Sequence, residues 1–307
     1  MRHLLTLADV TSDEISRIFA ITVDLKTKFL AGVREPLLPG RVMALLFEKP
    51  SLRTRVSFQS GIAHLGGSSM MLGDDVGFGK RERADDFARV LSELVDIIVW
   101  RSKQHETVQK FAEHATCPVI NGLTDQAHPC QALADLYTLR EHAGTLKGVK
   151  LAWVGDANNV SRSLAWGCAQ MGVHFAIATP VGYEFETTFL NRLQQAYPNM
   201  QLTVTHDPHE AVQDAQCIYT DVWASMGQEQ EQEKRRHDFA SYQVNEKLMQ
   251  AATSDTVFMH CLPAKRGEEV TDGVMDSPAS IIVQQAGNRM HVQKGIIMWL
   301  LGQKVES

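Results

Sequence analysis

Short, almost wholly apolar runs recur along this chain, separated by stretches in which apolar positions return every three or four residues. The runs are VMALLF (42–47), DIIVW (96–100), PVINGL (118–123), KLAWV (150–154), FAIAT (175–179), CIYTDV (217–222), VFMHCL (257–262) and IIV (281–283). Each is short and β-rich, so each reads as a strand. Strands alternating with helices predict an α/β architecture with mainly parallel sheets. In REHAGTLKGVK (140–150) a helical stretch gives way to a turn with Gly and Lys before a new strand, which marks a boundary between two α/β halves. NRMHVQKGIIMWLLG (288–302) carries Met290, Ile297 and Leu301 at near-helical spacing and stops on a glycine, predicting a closing helix.

Composition narrows the partners. A chain of 307 residues favours two domains, and a formal net charge of -6 argues against a general nucleic-acid or membrane-surface binder. Any cationic site must be local. The first residues lack a basic segment followed by an apolar one, and no run approaches the roughly 20 apolar residues of a spanning helix, so the cytoplasm is expected. Five cysteines without a CxxC pair fit reduced thiols and no structural zinc. QEQEQEKRRHDF (228–239), the most polar stretch, reads as a solvated face or mobile loop, with a lid as the second reading.

Ligands of open parallel sheets bind beyond the carboxyl ends of the strands. Those ends carry Ser51, Arg53, Thr54 and Arg55, then Arg101, Asn158 and Asn159, Asp221, and His260 with Cys261. In FEKPSLRTRVSF (47–58), Pro50 stops the strand, Ser51 suits an N-cap, and Phe58, Ile62 and Leu65 form a helical stripe ended by Gly66-Gly67. The bend is therefore a helix N-terminus, where free N–H groups, hydroxyls and guanidinium forks suit a phosphate. In HPCQALADLYTLREH (128–142), Pro129 suits a first helical turn, and His128 and Gln131 share one face of it. A Cys261–His260 hydrolase dyad is not expected, because neighbours in a strand point to opposite faces. KLAWVGDANN lacks the second and third glycines of a dinucleotide fingerprint and no GxxxxGK[ST] exists, so neither NAD nor ATP is indicated.

FEKPSLRTRVSF, HPCQALAD, DVWASMGQE and HCLPAKRGEEV, in this order and with the terminal NRMH, resemble the aspartate/ornithine transcarbamoylase family over nearly the whole chain. S-x-R-T-R and H-P-x-Q are similar to its carbamoyl phosphate signature, and D-x-x-x-S-M-G with H-C-L-P to the ornithine signature. The resemblance implies a carbamoyl phosphate domain over 1–140, joined by a returning helix over 288–307, and an ornithine domain over 141–287. It implies a homotrimer, with Lys80 or Arg81 contributing to a neighbour's site, and no metal or organic cofactor.

Position by position, it implies carbamoyl phosphate contacts at Ser51, Leu52, Arg53, Thr54, Arg101, His128, Gln131 and Arg289, with Cys261 and Leu262 beside the reacting carbon and amine. Ornithine contacts fall at Asn159, Asp221, Ser225 and Met226. Thr54, Arg101, His128 and Cys261 are the implied catalytic set. Leu52 departs from the usual S-T-R-T-R, removing a hydroxyl while keeping the backbone N–H. The implied reaction is attack of a neutral δ-amine on the carbamoyl carbon, giving citrulline and phosphate. Two other readings stay open: a transcarbamoylase for putrescine or an N-acylated ornithine, and a non-catalytic sensor of carbamoyl phosphate or an amino acid.

Overall fold

Seven of the eight strand runs expected from the sequence fall into two separate parallel sheets. The computed structural model describes residues 1–73, 76–77, 81–224 and 229–302. It contains two units, Met1–Ala134 with Asn288–Ser307, and Asp135–Gly287.

The first unit holds α1 (Ser12–Leu30), β1 (Val42–Phe47), α2 (Leu52–His64), β2 (Ser68–Leu72), α3 (Ala84–Leu94), β3 (Ile97–Arg101), α4 (His105–His114), β4 (Val119–Leu123) and the start of α5 (Pro129–Ala143). Its sheet has the order β2-β1-β3-β4, all parallel. Strands β1, β3 and β4 are almost entirely buried, as continuous apolar runs require when helices cover both faces. Trp100 meets Phe111 edge to face at 4.8 Å within the core between β3 and α4.

Helix α2 forms as its pattern predicts. Ser51 is its N-cap, accepting from Thr54 N, and Phe58, Ile62 and Leu65 are buried. Gly66 has φ 82°, and a Cβ there would lie 2.7 Å from Pro36 Cβ, so the chain turns where only glycine fits.

The second unit continues α5 and holds β5 (Lys150–Val154), α6 (Asn159–Met171), β6 (His174–Ala178), α7 (Thr187–Ala196), β7 (Leu202–Thr205), α8 (Pro208–Val212), β8 (Cys217–Thr220), α9 (Gln232–Asp238), α10 (Glu246–Gln250), β9 (Val257–His260) and α11 (Asp272–Met275). The sheet order is β7-β6-β5-β8-β9, again all parallel. Trp153 and Tyr219 stack at 4.9 Å on neighbouring strands.

Helix α12 (Ile282–Leu300) contributes Asn288 onward to the first unit, where Lys26 Nζ donates to Asn288 Oδ1 at 2.7 Å. It begins earlier than the expected closing helix. The run IIV (281–283) is not a strand: Ile281 N donates to Phe258 O at 3.0 Å, its carbonyl already accepts from Gln285 N, and the helix starts at Ile282. A short apolar run looks the same at a helix start as in a buried strand. Among the described residues, no helix is long and apolar enough to cross a membrane.

Candidate active site

In the first unit the carboxyl ends of β1 and β3 and the amino ends of α2 and α5 bring together most of the cationic candidates. Ser51 Oγ accepts from Thr54 N at 3.3 Å, which turns the first residues of α2 into the helix. Thr54 is fully buried, and its Oγ1 accepts from Arg289 Nη2 at 2.8 Å with Arg101 Nη1 at 3.5 Å. Arg289 Nη1 donates to Gln131 Oε1 on the first turn of α5. Arg101, Arg289, His128 and Gln131 are all buried.

This concentration of charge shapes the titration of the group. Burial, with Arg289 and Arg53 nearby, pushes the Arg101 guanidinium down to about 10, so it stays protonated at neutral pH. Burial and then the charges of Arg289 and Arg101 hold the His128 imidazole well below its ordinary range. His128 is thus neutral and offers an N–H, not a charge. Arg101 Nε is buried without a hydrogen-bond partner among the described residues, a charged donor left for something else to accept.

Arg53 is half-buried, whereas Arg55 is exposed and its Nε donates to Gln59 Oε1 at 3.2 Å, so Arg55 belongs to the outer face of the helix. Leu52 is 75% exposed as the first residue of α2.

Sequence reasoning missed Glu48. Its carboxylate accepts from Trp100 Nε1 at 3.0 Å, Ser102 Oγ at 2.7 Å and Lys103 N at 3.1 Å, tying the loop after β1 to the loop after β3. The signal was a lone acid directly after a buried strand.

In the second unit the candidates gather beyond β5, β8 and β9. Asp221 Oδ2 accepts from Asn158 Nδ2 at 2.8 Å, while Oδ1 accepts from Cys261 Sγ at 3.0 Å and Val222 N at 2.8 Å. Asn158 Oδ1 also caps α6, accepting from Val160 N and Ser161 N, so one amide holds both a helix end and a carboxylate. Asn159 is the first residue of α6 and half-buried.

His260 bonds elsewhere than to Cys261: its Nδ1 accepts from Leu262 N at 2.8 Å and its Nε2 lies 3.2 Å from Glu269 Oε1. Ligand-type atoms of Asp221, His260 and Cys261 lie within 4.8 Å of one another. Both ring nitrogens are engaged by Leu262 and Glu269, and the thiol is bonded to Asp221.

Ser225, Met226 and Lys80 lie outside the described residues, and Arg81 is exposed. The polar stretch 228–239 is not uniformly a solvated face. Arg235 within it is buried and bonds Asp156 Oδ2 at 2.7 Å and Trp223 O at 2.9 Å, since its guanidinium finds a carboxylate at the end of β5.

The carbamoyl-P binding domain of aspartate/ornithine carbamoyltransferase matches residues 2–141, and the Asp/Orn binding domain of the same family matches residues 147–300. The chain belongs to the aspartate/ornithine carbamoyltransferase family. Within the family it is 50% identical over 303 residues to an ornithine carbamoyltransferase of Anoxybacillus flavithermus, covering 98% of this chain and 96% of that one. The solved ornithine carbamoyltransferase of Pyrococcus furiosus aligns with TM-score 0.95 at 47% identity over 99% of this chain and 98% of that one. An ornithine transcarbamoylase of Giardia lamblia, at 29% identity, still aligns with TM-score 0.89 over 99% of both chains. The carbamoyltransferase fold of two parallel sheets flanked by helices is thus that of enzymes with the ornithine name.

Proposed function

We propose that this protein is an ornithine carbamoyltransferase, moving the carbamoyl group of carbamoyl phosphate to the δ-amine of L-ornithine to give L-citrulline and phosphate. The observation that carries the reading is the buried pair Arg101 and Arg289 converging on Thr54, with Arg53 near. Like charges held out of water call for a dianionic partner.

Residues 1–140 with 288–307 are assigned to carbamoyl phosphate and 141–287 to ornithine. Ser51, Arg53, Arg289 and the backbone N–H of Leu52 at the start of α2 hold the departing phosphate. Arg101, Thr54 and the neutral His128 donate to the carbonyl oxygen as it becomes an oxyanion, with Gln131 orienting the carbamoyl end and Arg289. Asp221 pairs with the α-ammonium of ornithine, Asn159 and Ser225 with its α-carboxylate, and Met226 is a further ornithine contact. Cys261 and the backbone of Leu262 lie beside the δ-amine. The neutral amine forms the new C–N bond, and the C–O bond to phosphate breaks as the tetrahedral intermediate collapses, the proton shed by the nitrogen passing to the departing phosphate. Positioning and fixed dipoles supply the acceleration, and no covalent intermediate on the protein is needed.

Free thiols at all five cysteines support a cytoplasmic location. A homotrimer is supported by apolar side chains left in water one turn apart, Leu52 with Val56 on α2 and Val90 with Leu94 on α3.

The test offers carbamoyl phosphate with ornithine, putrescine, N-acetylornithine or aspartate, one at a time, to the purified protein. Citrulline from ornithine alone is expected. Turnover only with another amine would reassign the acceptor, and silence with all four would turn the reading toward a sensor.

A further inference from the structure

The loop after β9 carries two proposed contacts, Cys261 and Leu262, on a backbone that does not hold its shape by default. Leu262 has φ 60°, in the left-handed region that a branched side chain avoids. Something must fix it there.

Hydrogen bonding identifies what does. Leu262 N donates to His260 Nδ1 at 2.8 Å, so Nδ1 carries no proton. The ring proton is then on Nε2 and is donated to Glu269 Oε1, 3.2 Å away. Both side chains are fully buried. Glu269 Oε1 also accepts from Lys265 N at 2.5 Å, which closes the loop back on itself. The backbone of His260 is fixed separately: its N donates to Gln285 Oε1 at 2.9 Å, and Gln285 Nε2 donates to Asp135 Oδ1 at 2.7 Å and Tyr219 OH at 3.0 Å.

We infer that Glu269 and His260 are a positioning pair for the acceptor side of the reaction: Glu269 sets the tautomer and orientation of His260, and His260 holds Leu262 N–H so that the Cys261 thiol rests on Asp221. Neither residue touches substrate. The inference rests on reading Asp221, Cys261 and Leu262 as acceptor contacts, and it extends that set to two buried side chains the reaction itself does not call for. The pair acts through geometry. What Glu269 must supply is an acceptor oxygen at the right distance, and its second oxygen is buried without a hydrogen bond among the described residues.

Two variants of the full chain separate position from charge. Glu269→Gln keeps the length and the acceptor oxygen while removing the charge, whereas Glu269→Asp keeps the charge and withdraws the oxygens by one methylene. The expected result is Glu269→Gln within about twofold of the parent, and Glu269→Asp with kcat/KM for ornithine lowered about tenfold, within the range typical of lost supporting bonds. Carbamoyl phosphate binding, measured by calorimetry without an acceptor, should be unchanged in both.

A second readout does not need turnover. Cys261 is the half-exposed cysteine and the other four are buried, so a maleimide should modify Cys261 faster in Glu269→Asp than in the parent while the other four stay protected. The reverse order, with Glu269→Asp like the parent and Glu269→Gln impaired, would overturn the inference, as would two variants that both match the parent in turnover and labelling. Equal loss of both substrates with all thiols reacting would also overturn it, since that is loss of fold. If the parent makes no citrulline the proposed function fails, and the labelling contrast still decides the positioning pair.

Discussion

Arg289 Nη2 donates to the buried Oγ1 of Thr54 at 2.8 Å, joining residues 235 positions apart in the chain. The same guanidinium reaches Gln131, so three distant segments meet on one hydroxyl and one amide. This contact is the least local part of the proposed phosphate site.

Replacing Arg289 by Met should therefore remove both a charge and the bond that orients Thr54. A loss of about 100- to 1000-fold in kcat/KM for carbamoyl phosphate is expected, the range seen when one preorganised electrostatic donor is deleted. Steady-state kinetics with each substrate varied in turn measures it. A loss below about threefold would place Arg289 outside the reaction.

Activity should rise from neutral to mildly alkaline pH. The δ-amine has a Lys-like solution pKa of about 10.4 and must lose a proton before attack, so the increase approaches about tenfold per unit where chemistry limits the rate. His128 does not produce this rise, because burial and then Arg289 and Arg101 hold it below its ordinary 6.5, and it is already neutral there. A flat rate across pH 7 to about 9 in single-turnover experiments would contradict the proton requirement.

Asn158→Ala should act on fold and function together. It deletes the cap of α6 and the hydrogen bond to Asp221 Oδ2, costing about 1–2 kcal/mol of stability and raising the ornithine KM. Urea unfolding and ornithine saturation curves give the two effects, and carbamoyl phosphate binding serves as the control.

Much of this was readable in the chain. VMALLF and KLAWV coincide with β1 and β5, and Pro129 opens α5, because buried strands and helix starts carry local signatures. Strands β2 and β7 left no such signature. They are edge strands, SSMML and LTVT, with partly exposed faces that need no continuous apolar run. Leu52, Thr54 and Asp221 were found as strand-end and motif residues. Glu48, Glu269 and Gln285 were not, because their partners lie on other segments and no spacing within one segment announces a bond to a distant backbone.

Lys294 offers a stability test with a defined sign. It is a buried amine on α12 near Phe29 and Leu25 O, and burial, with the charge of Arg34, pushes its pKa from 10.5 down to about 8. Below pH 8 the folded state bears the cost of keeping it charged; between pH 8 and 10.5 the unfolded chain binds more protons, so stability climbs with pH. Lys294→Met should be more stable than the parent at neutral pH by roughly 1–2 kcal/mol, discounted for solvent near the ammonium, and the advantage should shrink above pH 8. Thermal melts at pH 7 and about pH 9.5 would show it.

The first unit includes Asn288 onward, and Arg289 is the residue that ties Thr54 to Gln131. A ribosome making this chain finishes the strands of that unit early, yet must translate all of Asp135–Gly287 before the arginine exists. At about 5–20 residues per second that wait is on the order of ten seconds. During it the nascent first unit lacks the last turns of its own core, so its completion is tied to the end of synthesis, and the proposed phosphate site cannot be assembled on a chain that stalls before position 289.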